Sequence, residues 1–148
     1  MSTPQSKLFV TVTKQLTSTP DRAFDAWLDP ALIGRWMFGK ALRDEEILRI
    51  ETDPRVGGAF SFLVRRQGHD IDHVGRYLVV DRPRRLEFTW GIAGESNDES
   101  RVIVEFAAIP GGCELRLTHE MDERWADYAD RTRAGWARML DELGALLR

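Results

Sequence analysis

The chain has 148 residues, 43% of them hydrophobic, which suits one domain built around one sizeable core. Its 21 basic and 24 acidic residues give a formal charge of −3 and a pI near 5.6, without the basic excess that a phosphate-backbone binder needs, so no nucleic-acid partner is expected. A single cysteine, Cys113, allows no internal disulfide, the opening MSTPQSKLFV lacks the charged-then-apolar pattern of a secretory leader, and no run of about 18 apolar residues is present to span a membrane, so the expected location is the cytoplasm.

From Lys7 to Leu16, Leu8, Val10, Val12 and Leu16 alternate with Phe9, Thr11, Thr13 and Gln15, a period of two that predicts a strand. Thr19-Pro20-Asp21 then opens a helix: Thr19 suits the cap, Pro20 the first turn and Asp21 the positive end of the dipole. Phe24, Trp27 and Leu28 form its apolar stripe. Asp29-Pro30 repeats the signal and opens a second short helix through Ala31, Leu32 and Ile33 to Trp36.

Strand two is expected over Glu46 to Thr52, with Gly57-Gly58 reversing the chain into strand three, Ala59 to Arg66. Gln67 to Asp70 reads as a turn and Asp72 to Asp81 as strand four. Asp81-Arg82-Pro83 turns into strand five, Arg85 to Gly91, where Leu86, Phe88 and Trp90 share a face. The polar stretch GIAGESNDES reads as the mobile loop of the chain. Strand six, Arg101 to Ala108, aligns Val102, Val104 and Phe106, leaving Glu105 toward solvent. Pro110-Gly111-Gly112 leads into strand seven, Cys113 to Glu120, which aligns Leu115, Leu117 and His119.

Arg124 to Leu147 reads as one long amphipathic helix capped by Asp122. Trp125, Tyr128, Thr132, Trp136, Met139, Leu143 and Leu146 recur at steps of three and four along it. At about 1.5 Å per residue it would run roughly 36 Å. Only short strands are available to cover so long a stripe, so the helix should lie across a curved antiparallel sheet in an α+β domain. Gly135 inside this helix costs about 1 kcal/mol relative to alanine, and close packing of helix on strand or ligand is the expected compensation.

Several segments then carry a family resemblance. They are the Thr19-Pro20 opening with Phe24, Asp29-Pro30 followed by Trp36, and DPRVGGAFSF from Asp53 to Phe62. Gly75 with Tyr77, the run Asp81 to Trp90, Leu115 to His119, and Gly135-Trp136 complete the set. In this order and spacing the chain resembles the START-like, or SRPBCC, superfamily, and within it the group similar to the activator of the heat-shock-protein-90 ATPase. The resemblance implies a helix-grip fold, a seven-stranded curved antiparallel sheet around the C-terminal helix, with two short helices after strand one and an internal cavity. Proteins of this shape carry lipids, sterols, polyketides or plant hormones, and some catalyse cyclisation. The eukaryotic namesake acts on a chaperone through a further N-terminal domain that this chain has no room for, which argues against a chaperone partner.

Strand parity and the helix stripe turn Phe60, Phe62, Trp90 and Phe106 inward, together with Leu117, His119, Trp136 and Met139; Trp36 and Phe38 would close one end. Such a lining suits a small apolar ligand, since burial supplies affinity and a few hydrogen bonds supply orientation. The same stripes equally describe a filled core. His119 could orient a ligand carbonyl or carboxylate or act as acid or base, or be a histidine satisfied by its protein neighbours.

His69-Asp70-Ile71-Asp72-His73 looks like a metal box. In an extended segment, however, residues four apart lie about 13 Å from each other, while zinc ligands must each bring a nitrogen to about 2.1 Å. No metal or cofactor is therefore expected, and neither a nucleophile elbow nor a phosphate loop is present. Arg55 reads as a structural ion-pair partner.

The leading expectation is a binding protein for a small apolar molecule. The second is a cyclase, hydratase or hydrolase using His119, and the third a chaperone-activator-like interaction module. Homodimerisation through an exposed sheet edge is compatible with the pattern.

Overall fold

The structure, a computed structural model, describes residues 7–40, 42–95 and 100–148. The elements follow in the order expected. They are β1 (Lys7–Leu16), α1 (Pro20–Asp25), α2 (Pro30–Trp36), β2 (Glu45–Thr52), β3 (Ala59–Arg66), β4 (His69–Asp81), β5 (Arg85–Ile92), β6 (Ser100–Ile109), β7 (Gly112–Asp122) and α3 (Ala129–Leu146), with a 3₁₀ segment, Glu123–Tyr128, before α3. The strands form one seven-stranded antiparallel sheet in the order β1-β7-β6-β5-β4-β3-β2. Hairpins join β2 through β7 in succession. The two short helices carry the chain from β1 at one edge to β2 at the other.

The local signals at both short helices act as their residue types dictate. Thr19 Oγ1 accepts the backbone N–H of Arg22 at 3.3 Å, and Asp29 Oδ1 accepts that of Ala31 at 3.0 Å, each supplying an acceptor to a first-turn amide. The strand parities hold as well: Val10 and Leu16 on β1, Leu86 and Phe88 on β5, Val102, Val104 and Phe106 on β6, and Leu115, Leu117 and His119 on β7 are all buried. Helix α3 packs against β1 and α2. Its buried side chains are Trp136, Leu140 and Leu143, and each large apolar side chain removed from water contributes about 1.5–3 kcal/mol.

Three local expectations are corrected. Asp122 does cap a helical turn, its Oδ1 accepting the Arg124 N–H at 2.9 Å, but that turn is 3₁₀ and breaks at Trp125 before the α-helix begins at Ala129. The buried stripe is accordingly the shorter one centred on Trp136, Leu140 and Leu143, while Tyr128 is exposed. The reversal before β4 occupies only Gln67-Gly68, both at positive φ, so His69 and Asp70 are strand residues, held by an ion pair of Asp70 with Arg65 at 2.8 Å. Gly135 is not a packing glycine: a Cβ built on it meets nothing within 4 Å. Of the expected loop, Ser96 to Glu99 lie outside the described residues.

Gly75 is a packing glycine. On β4 it shares a face with His73 and Tyr77, and a Cβ there would lie 2.6 Å from the ring of Phe60 and 1.9 Å from the carbonyl oxygen of Thr89. The missing side chain lets the Phe60 ring lie across β4. That close approach starts the aromatic cluster of the interior.

Candidate functional site

Seven aromatic rings drawn from β3, β4, β5, α3 and the α1–α2 segment form a continuous web. Phe60 meets Phe62, Tyr77, Phe88 and Trp90 with centroids 4.7, 5.5, 5.6 and 5.9 Å apart, Trp90 meets Trp136 at 5.7 Å, and Trp136 stacks on Trp27 at 6.1 Å. Offset and edge-to-face contacts of this kind add to burial about 0.5–1.5 kcal/mol per pair. Within the web lies a pocket lined by Trp27, Met37, Phe60, Phe62, Tyr77 and Phe88. Its cavity volume is about 10 Å³. That is one water's worth of room.

Two lining residues carry a polar atom with no partner. The indole N–H of Trp27 and the hydroxyl of Tyr77 are buried and make no hydrogen bond; Ser18 Oγ, on a residue outside the lining, is in the same state. Burial drives the phenol of Tyr77 far above its usual range, with the charge of Asp53 pushing the same way, so the hydroxyl keeps its proton.

His119 lies beside this web with both ring nitrogens occupied. The indole N–H of Trp136 donates to Nδ1 at 3.0 Å, and Nε2 lies 2.7 Å from Ser100 Oγ, whose hydroxyl donates to the Trp90 carbonyl at 3.0 Å. An indole nitrogen can only donate, so Nδ1 must accept and the proton belongs on Nε2. Burial lowers the pKa of the ring to about 4. A neutral histidine with both nitrogens spoken for is satisfied by its protein neighbours and has no ring nitrogen free for a proton relay.

His73 is buried against Phe38 and Trp90, with ring centroids 4.9 and 5.4 Å away, and Nδ1 lies 3.1 Å from the Phe62 carbonyl. Its partner in the sequence motif, His69, is exposed on the same strand, and among the described residues no group of three or more His, Cys, Asp or Glu side chains could hold a metal. Nearby, the Glu45 carboxylate is fully buried. It accepts the backbone N–H of Gly39 at 2.8 Å and pairs with Arg66 at 2.7 Å and Arg43 at 3.1 Å. This knot ties the loop after α2, which begins at Met37, to the edge of the sheet.

Of the residues expected from the sequence to touch a ligand, Phe60 and Phe62 line the pocket. Phe38, Trp90 and Trp136 pack one ring further out, and Trp36 is buried beneath Trp27 at 4.6 Å with its indole N–H on the Ala26 carbonyl. Phe106 packs on Phe24, Leu117 is enclosed in the core, Met139 is half-buried and His119 is committed to Trp136 and Ser100; none of these four lines the pocket. Trp27, Met37, Tyr77 and Phe88 line it without having been singled out. Phe88 shares its face with Trp90 and Tyr77 with His73, so strand parity could have found both. Met37, at the end of α2, carries no periodic signal. Arg55 pairs with Asp53 at 3.0 Å, as expected, and no described helix is long and apolar enough to cross a membrane.

A family profile described as Activator of Hsp90 ATPase homolog 1-like protein matches residues 17–148. No curated protein matches the chain. Among solved structures, the fold is similar to that of a protein from Rhodobacter sphaeroides (TM-score 0.83, 20% identity, covering 98% of this chain and 95% of that one). It is also similar to a protein from Chromobacterium violaceum (0.80, 23%, 94% and 96%) and to the AHSA1-like protein from Aeromonas hydrophila (0.77, 25%, 93% and 90%).

Proposed function

From the premise that this chain belongs to the Activator of Hsp90 ATPase homolog 1-like family, we propose that it is a binding protein for a small hydrophobic molecule held between the sheet and the terminal helix. The observation that carries this reading is the pocket inside the aromatic web, lined by five rings and one methionine. Apolar walls of this kind stabilise a ligand by burial, and rings spanning several elements make its contacts numerous.

The pocket is narrower than the roughly 300–1,000 Å³ that drug-sized ligands occupy. A larger ligand needs a lining side chain to move aside, and among the six that line the pocket Met37 is the one best suited to do so. An unbranched thioether with three rotatable bonds can swing aside where a branched or aromatic side chain would be locked. Met37 also begins the loop held by Glu45, so the gate and the knot belong to one segment. The cytoplasm is proposed as the compartment, in keeping with the unpaired Cys113 thiol.

Native mass spectrometry of gently purified protein, followed by a thermal-shift screen of small neutral aromatic compounds, tests the reading. The expected result is a recovered ligand or a raised Tm, lost in Phe60→Ala and kept in Leu78→Ala on the opposite, exposed face of the sheet. A chain that carries nothing and whose Tm no compound raises would overturn it.

A further inference from the structure

We propose that the pocket lined by Trp27 and Tyr77 is a recognition site for a single acceptor oxygen of a neutral, otherwise apolar ligand, the ketone or aldehyde carbonyl being its simplest form. The inference rests on the ligand pocket proposed above and adds the chemistry of what enters it. Trp27 and Tyr77 are each 2% exposed, and both bring an unpartnered polar atom to residues that line the same small space. A buried polar group without a partner is unfavourable, and here two such groups belong to one lining. The ring of Trp36, 4.6 Å from that of Trp27 and T-shaped to it, offers the indole N–H at best a weak π contact.

The two groups specify what relieves them. An indole N–H donates and never accepts, and the buried, protonated phenol of Tyr77 donates as well. One oxygen with two lone pairs accepts from both. The free volume of about 10 Å³ in that lining already has room for one water-sized oxygen.

The remaining lining residues, Met37, Phe60, Phe62 and Phe88, supply neither charge nor donor. A carboxylate would be buried without a cation among these side chains. The site therefore selects an uncharged acceptor and rejects both the anion and the bare hydrocarbon. Tyr77 places the oxygen and the aromatic web holds the rest of the molecule.

A matched set of probes tests this: acetophenone, ethylbenzene of nearly the same shape without the oxygen, and benzoate with the charge. Binding is read by thermal shift and by the ¹H–¹⁵N resonance of the Trp27 indole, assigned with Trp27→Phe. Acetophenone is expected to bind roughly tenfold tighter than ethylbenzene, the difference one well-placed hydrogen bond supplies. It should move the Trp27 indole proton downfield, while benzoate leaves it in place. Tyr77→Phe removes only an unpartnered hydroxyl, so it should fold and narrow the difference between the two neutral probes. Equal binding of acetophenone and ethylbenzene would overturn the oxygen site while leaving the pocket intact. An indole proton that exchanges with a resident water and ignores acetophenone would assign the void to a structural water only and overturn it too. Failure of every probe to bind would overturn the site together with the pocket reading beneath it.

Discussion

The indole N–H of Trp136 donates to Nδ1 of His119 across 3.0 Å, and that bond fixes the protonation state of a buried histidine. With Nδ1 accepting, the Nε2–H donates to Ser100 Oγ, and the Ser100 hydroxyl donates in turn to the Trp90 carbonyl. Each donor meets one acceptor. Protonating Nδ1 would set two donors against each other inside the core, in addition to the desolvation that holds the pKa at about 4. ¹⁵N spectroscopy of the histidine ring should show the Nε2–H tautomer throughout the neutral range and no titration between pH 8 and pH 5.5.

The same bond predicts how stability depends on pH. In the unfolded chain a histidine titrates near 6.5, so between there and about 4 the unfolded state binds a proton that the folded state refuses. Stability is therefore complete above pH 6.5 and falls as the pH drops toward 4, by about 3 kcal/mol for His119 when the shift is converted. His73, whose pKa burial also lowers, acts in the same direction. Urea midpoints of the protein and of His119→Gln at pH 7 and pH 4.5 separate this from carboxylate effects. The variant should lose stability at pH 7 and show a smaller drop on acidification; an identical drop in both would refute the assignment.

Gly75 makes room for Phe60. An alanine there would drive its Cβ into the Phe60 ring and the Thr89 carbonyl, and a backbone oxygen cannot move aside as a flexible side chain can. Gly75→Ala should destabilise by about 2–4 kcal/mol, the cost of overpacking combined with a forced strand shift. Chemical denaturation measures it, and loss of near-ultraviolet circular dichroism from the Phe60–Trp90–Trp136 contacts should accompany it. A change below about 0.5 kcal/mol would mean that the strands are not held at this spacing.

These residues show what could be read from the sequence and what could not. The element order and the inward parities were legible because each rests on a period: two for Val102, Val104 and Phe106, three to four for Trp136 and Leu143, although Leu140, buried with them, lies off the expected stripe. The caps at Thr19 and Asp29 were legible because their side chains act within three residues. The start of α3 was not, since the 3₁₀ turn after Asp122 carries the same capping and apolar signals as an α-helix and differs only in how its backbone closes. The pocket was half legible. Phe60 and Phe62 followed from β3 and Trp27 from the apolar stripe of the first helix as an inward residue, whereas Met37 follows the end of α2 where no period applies, and the company both keep is set by how α1 and α2 cross the sheet. The role of His119 depends on Ser100, nineteen residues away and on the neighbouring strand, a register that only pairing reveals.

Gly135 offers the opposite case to Gly75. It lies in the interior of α3 with open space where its side chain would be, so it carries the backbone entropy cost of glycine with no packing to offset it. Gly135→Ala should raise stability by about 0.5–1 kcal/mol, seen as a higher Tm. Destabilisation instead would show that some group approaches the helix there on closing.

The knot at Glu45 ties stability to access. Its carboxylate is fully buried and joins Gly39, Arg43 and Arg66 across the loop after α2, whereas the two arginines remain a quarter to a third exposed. Glu45→Gln keeps the shape but removes the charge, leaving the two guanidiniums facing one another. Water reaches both arginines, so the loss should be about 2 kcal/mol, less than for a wholly buried pair. Its location matters more than its size. The Gly39 end of the loop loses its charged acceptor while the bond from Arg138 to the Leu42 carbonyl and the sheet beyond β2 and β3 remain, so hydrogen exchange at the Gly39 amide should accelerate far more than at amides of β6 and β7. If Met37 is the gate of the pocket, the same substitution should speed acetophenone binding measured by stopped-flow tryptophan fluorescence. Faster exchange at Gly39 with an unchanged association rate would keep the knot and discard the gate.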